Sequence, residues 1–171
     1  SDVYKRQTQN RTLMDTNISE PQYELKVICD NITTIFVDGE QKTVPGTGVW
    51  NQLATLQIPA STRAIGVQCK NDYGAYGIMA QVADSEGTVI AVSDDTWKCS
   101  NRAQVGWSTG DFIEDDKWNP ASYYTEHGSY NRDTGAWKGM SPYKKVIWTN
   151  SSHDTTVYCR RELSNLGEYQ I

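Results

Sequence analysis

Two pairs of adjacent carboxylates stand just ahead of tryptophans in this chain: Asp94-Asp95-Thr96-Trp97 and, 21 residues later, Asp115-Asp116-Lys117-Trp118. A carboxylate beside an indole could form a sugar site, with oxygens accepting from hydroxyls while the ring covers a C–H face. Two carboxylates across a groove could also hydrolyse a glycosidic bond. A structural role competes with both: each leading Asp closes a turn through its side chain, and the Trp drops into a core. Adjacent doublets in turn contexts favour that role. Better binding material lies in Asn71-Asp72-Tyr73-Gly74-Ala75-Tyr76-Gly77, and in Trp107 and Trp137, which sit among Gly, Ser and Thr. The expectation is one wall made of Asn71, Asp72, Tyr73 and Tyr76, with Trp107 or Trp137 as the stacking surface, since a ligand site needs an apolar concavity with a few polar anchors.

Catalysis has little to work with. The chain has 2 His, His127 ahead of Gly128-Ser129 and His153 in a polar turn. No Gly-x-Ser-x-Gly elbow, P-loop or GxGxxG is present. No CxxC or Cys–His cluster suggests zinc. No catalytic residue, metal or cofactor is expected, and the chain reads as a non-enzyme. With 16 Lys+Arg against 21 Asp+Glu, a net charge of −5 argues against nucleic acid as a partner. No apolar run is long enough for a spanning helix.

The elements that must position these residues are short strands. Residues 23–29 alternate apolar and polar with period two, 32–37 are β-branched and aromatic, and Asp38-Gly39 is a turn signal. Further strands are expected at 49–58, 63–69, 76–82, 88–92 and 96–99, with a final hairpin of 144–149 and 155–160. Weak helix candidates are 118–125 and 161–166. Residues 1–22 are polar and without period, and are expected to be an arm or linker, packed on a partner; 23–171 would form one all-β domain. Eight or more strands at this spacing imply a sandwich or barrel.

Asp30 through Gly39, Trp50, the stretch 63–71, Gly87, 94–99, Phe112 and 115–118 together resemble the galactose-binding-like jelly-roll family. The resemblance spans residues 23–160 and implies a jelly-roll β-sandwich of the kind found in extracellular and glycoside-hydrolase-associated modules. Its motifs describe strands and turns more than ligands.

Cys29, Cys69, Cys99 and Cys159 all lie in strand-like segments. Together with the Tyr-, Trp-, Asn- and Thr-rich composition they suggest two disulfides and an extracellular or secreted location. Cys69–Cys99 and Cys29–Cys159 are the expected pairs, contributing about 3.6 and 5 kcal/mol on the chain-entropy argument. Four sequons begin at Asn10, Asn17, Asn31 and Asn150, of which Asn31 and Asn150 sit at turns inside the domain and are the expected N-glycan acceptors. The functional expectation is a non-catalytic, lectin-like carbohydrate-binding module. The alternative is a building block of an extracellular assembly, using Tyr and Trp loops for contacts with a protein partner. A fragment of a glycoside hydrolase ranks behind both.

Overall fold

Alternation along the first strand decides how the layers stack. The computed structural model describes residues 20–48, 50–72, 74–124, 140–141 and 143–163. In β1 (Gln22–Asp30), Leu25, Val27 and Cys29 are fully buried in the main core. They meet Ile35 and Val37 of β2 (Ile32–Val37), Val67 and Cys69 of β5 (Ala64–Lys70), and Ile78, Ala80 and Val82 of β6 (Gly77–Ala83). Side chains that alternate in this way need a second sheet to face them.

The result is an all-β sandwich of two antiparallel sheets, with no helix among the described residues. One sheet runs β10 (Ser122–Tyr123), β11 (Ile147–Trp148), β6, β1, β4 (Ala54–Pro59), with β7 (Val89–Val92) also paired to β6. The other runs β3 (Glu40–Lys42), β2, β5, β12 (Thr156–Glu162), β8 (Lys98–Ser100), β9 (Asn119–Pro120). Asp38 and Gly39 both have positive φ, 50° and 83°, as a two-residue hairpin turn between β2 and β3 requires. The Asp38 carboxylate then accepts from the Arg63 and Ala64 amides at 2.9 and 3.0 Å, fastening the turn to the start of β5.

Both sheets are also covered on their outer faces. On the first, Ile28 and Met79 pack with Met140 and Val146. On the second, Phe36, Gly66 and Arg160 stand in one row across β2, β5 and β12. The segment 101–118 folds over that row. Trp107 meets Phe36 and Tyr158 edge-on at 5.2 and 5.4 Å and stacks on Trp118 at 5.9 Å. Gly66 makes room for it, because a Cβ there would stand 2.7 Å from Trp107 and from Ser108. The Arg160 side chain is fully buried beneath the segment. Its Nε donates to Trp107 O and its Nη2 to Thr109 O, both at 2.8 Å, and its Nη1 pairs with Glu114 and Glu162.

Three sequence expectations change. The segments 144–149 and 155–160 do not form a hairpin: β11 joins the first sheet beside β6 and β12 the second between β5 and β8, so 149–155 crosses from layer to layer. Each strand finds its partners elsewhere, and Val157 and Cys159 face the main core from the opposite sheet to Trp148. Of the helix candidates, 118–123 is extended, since Trp118 is drawn under the cover and β9 and β10 follow it. Residues 161 and 162 continue β12, and 164–166 lie outside the described residues.

The disulfides are Cys29–Cys69 and Cys99–Cys159, not Cys69–Cys99 and Cys29–Cys159. The strand order explains the correction. β12 lies between β5 and β8, which keeps Cys69 away from Cys99. Cys159 is directly opposite Cys99 in register, and Cys29 faces Cys69 from the other layer. The loops closed span 40 and 60 residues, and each contributes about 4 kcal/mol on the chain-entropy argument.

Reduction under denaturing conditions should add four hydrogens to the intact mass, and peptide mapping of the oxidised chain should link Cys29 to Cys69 and Cys99 to Cys159. Gly66→Ala should destabilise the fold by about 1–3 kcal/mol in denaturant titrations, through overpacking against Trp107. Gly48→Ala, which adds its Cβ to open space, should change stability by less than about 0.5 kcal/mol.

Candidate functional site at the loop end of the sandwich

The antiparallel register gathers several connections at one end of the molecule: 30–31, 43–53, 71–76 and 149–155. Backbone bonds tie them together. Asn31 N–H donates to Lys70 O at 3.0 Å, Thr33 N–H to Thr47 O at 2.7 Å, and Asn71 N–H to Thr155 O at 2.7 Å. Asp72 N–H donates to the Asn31 side-chain oxygen at 2.9 Å.

A polar groove of 170 Å³ opens beside this end, between β8, β9 and the 149–155 crossover. The Cys99–Cys159 bridge ties β8 to β12 at its base, and Cys99 lines it. Asp154 holds one side, accepting from Thr149 Oγ1 at 2.5 Å and from Asn101 Nδ2 at 3.2 Å. Asp116, Lys117, Asn119 and Asn150 complete the lining. All four are exposed, and among the described residues none of their side chains makes a hydrogen bond or ion pair. The groove therefore presents one carboxylate, one ammonium and two amides to solvent on a fixed frame. Such groups can donate to and accept from a polyhydroxylated ligand. The volume is below the roughly 300–1,000 Å³ of drug-sized sites.

The Asp-Asp-x-Trp echo is structural. In each copy the first Asp accepts a side-chain bond from the amide two residues on, Thr96 or Lys117, at 2.9 Å. The Trp amide then donates to that Asp's carbonyl at 3.2 Å. Trp97 enters the main core, its Nε1 donating to Val92 O at 3.1 Å. Trp118 enters the outer cover instead, where its Nε1 donates to Gln104 Oε1, and Gln104 Nε2 donates to Asp115 at 2.9 Å. The Gln104 bond, with the Lys117 amide, holds the Asp115 carboxyl below its usual pKa.

Of the expected site, Asn71, Asp72, Tyr76 and Trp107 are described, and Tyr76 and Trp107 are packed inside the molecule, away from the other two. Tyr76 is buried in the main core, edge-on to Tyr124 at 4.9 Å and against Trp148 at 5.0 Å. Trp107 is buried under the cover on the outer face of the second sheet. Asn71 and Asp72 do lie at the loop end. The Asn71 amide holds its own loop through Gly74 O at 3.3 Å, and Asp72 pairs with Lys70 at 3.6 Å. Tyr73 and Trp137 lie outside the described residues, as do His127, Asn10 and Asn17. Of the two acceptor candidates, Asn150 is exposed and Asn31 half-buried. Asn101, Lys117, Asn119 and Asp154 were missed as site residues, and Asp116 was weighed as a sugar-site carboxylate but set aside as a turn residue. Their only signal was polarity within turns, and their convergence depends on the crossover that a hairpin reading conceals. Trp50 was missed as well; it is 47% exposed in the 43–53 connection at the same end.

A second depression, of 370 Å³, runs along β7 and is lined by Val89–Val92, Tyr143 and Arg161. Its lining is mixed, with Thr96 and Ser141 beside the aliphatic side chains of β7, and its Asp94 is committed to the turn before Trp97. Among the described residues no group of His, Cys, Asp and Glu could hold a metal ion, and no helix is long and apolar enough to cross a membrane. Comparison with protein-family models, characterised proteins and solved structures gives no match.

Tyr124 connects the core to the loop end, its hydroxyl donating to Thr149 O at 2.6 Å. Burial first, then the neighbouring Tyr76 and Asp154, pushes its pKa up to about 12 from 10.0. Because the folded value is the higher one, the neutral phenol supports the fold below pH 10, and that support is lost as pH rises toward 12. Tyr124→Phe should cost about 0.5–1.5 kcal/mol at pH 7 for the lost hydrogen bond. In urea unfolding at pH 11 the gap between wild type and variant should shrink.

Proposed function

We propose that this chain is an extracellular, non-catalytic carbohydrate-binding module, a galactose-binding-like jelly roll whose ligand sits in the polar groove. The observation that carries the reading is the set of four uncommitted side chains, Asp116, Lys117, Asn119 and Asn150, around one depression. The turns that carry Asp116, Lys117 and Asn150 are held by the bonds of Asp115 and Asp154, so a ligand would have to order side chains and not backbone. The two disulfides fit an oxidising compartment, and the sequons extend the reading to a secreted glycoprotein. An open site of this size implies weak monovalent affinity, about micromolar to millimolar, strengthened by repetition of the module.

The turn bonds of Asp94, Asp115 and Asp154 speak against catalysis, because each carboxylate is held as an acceptor by neighbouring donors. One observation favours the assembly reading: Val105 and Ile113 stand almost fully exposed on the outer cover, while Val89 and Tyr143 are exposed beside β7. Apolar groups on separate faces suit contacts between protein subunits better than one sugar cleft.

A glycan array probed with a multivalent, unglycosylated preparation tests the proposal. Asp116→Ala and Asn119→Ala should each lower binding about tenfold, the value of one hydrogen bond to a polar ligand group, and leave the unfolding midpoint unchanged. An empty array from folded protein would overturn the sugar reading and leave the assembly reading standing.

A further inference from the structure

The turn at 149–154 holds its shape with a defined set of side chains. Thr149 Oγ1 donates to Asp154 Oδ2 at 2.5 Å, and Ser151 Oγ accepts from the His153 amide at 3.3 Å. Ser151 O accepts from the Asp154 amide at 3.3 Å. Asn150 and Ser152 take no part: both are exposed, and neither side chain forms a hydrogen bond among the described residues. These are the two side chains that an Asn-x-Ser acceptor requires. At the other domain sequon the Asn31 oxygen is already held by the Asp72 amide at 2.9 Å.

Asn150 also lines the groove, with Asp116, Lys117 and Asn119. A sugar on its Nδ2 would begin at the wall of a 170 Å³ depression. We infer that Asn150 carries an N-linked glycan and that the first sugar of this glycan occupies the groove, closing it to free ligand. The closure to ligand rests on the carbohydrate-binding reading; the occupancy does not. In the transfer step Asn150 Nδ2 forms a bond to the anomeric carbon of a lipid-diphosphate-linked oligosaccharide. The bond from that carbon to the diphosphate breaks, the diphosphate leaves with the electron pair, and the amide loses one proton. The unmodified chain is then the open form and the glycosylated chain the self-occupied form.

The test expresses the full chain behind a secretion signal in a eukaryotic line as wild type, Ser152→Ala and Asn150→Gln. The wild-type peptide containing Asn150 should carry a glycan mass that both variants lack. Acetylation of Lys117, read against Lys42 on β3 at the far edge of the same sheet, should be about fivefold slower in the glycosylated wild type than in Ser152→Ala. On a glycan array the variant should bind where the wild type does not. An unmodified Asn150 in the secreted folded protein would overturn the inference, as would equal Lys117 labelling in wild type and variant. Shielded Lys117 with an array left empty by Ser152→Ala would uphold the occupancy and bring down the carbohydrate-binding reading alone.

Discussion

Arg160 is the constraint on which the rest of this sandwich depends. Its guanidinium is out of water on a β-sheet face, where an unpaired charge would be prohibitive. The carbonyls of Trp107 and Thr109 and the carboxylates of Glu114 and Glu162 satisfy it, and the Phe112 ring lies 5.3 Å away. All but Glu162 belong to the 101–118 cover. The cover therefore docks where a charged group needs its carbonyls, and Trp107 is carried onto the glycine row at the same time. An apolar side chain at 160 could fill the space but could not specify which carbonyls close over it.

That docking also builds the groove. The cover leaves the second sheet at β8 and returns at β9, and its last turn presents Asp116 and Lys117 just before Asn119. The opposite wall comes from the 149–155 crossover, held by Asp154 and by Tyr124 reaching from the first sheet. The Cys99–Cys159 bridge secures β8 to β12 beneath the groove, while Cys29–Cys69 joins the two layers near the same end. One bridge resists shear within a sheet and the other resists separation of the sheets. Together they stiffen the end of the molecule where the groove lies.

Local signals were legible in the sequence wherever they were sufficient. The alternation of β1, the Asp38-Gly39 turn and the two Asx turns before Trp97 and Trp118 follow from residues within a few positions of one another. What was not legible depends on sheet order. Whether 144–149 pairs with 155–160, and whether Cys69 meets Cys29 or Cys99, is decided by β12 entering between β5 and β8. Arg160 shows the same limit: a charged residue in an alternating strand reads as solvent-facing until 101–118 is seen to cover it. The candidate groove lies where two such long-range decisions meet, so its residues carried only a faint signal.

The tryptophans carry a related lesson about composition. With 6 Trp and 10 Tyr the chain invites a stacking site, yet Trp97, Trp107, Trp118 and Trp148 are all buried. The reason is architectural. A sandwich whose sheets are covered on their outer faces has more than one apolar compartment to fill, and rings fill them with the most area per residue. Trp97 and Trp148 serve the inter-sheet core, while Trp107 and Trp118 stack under the cover. Aromatic richness here measures how many layers must be packed. The side chains left over by this packing are the polar ones of the turns, which is why the candidate groove is polar.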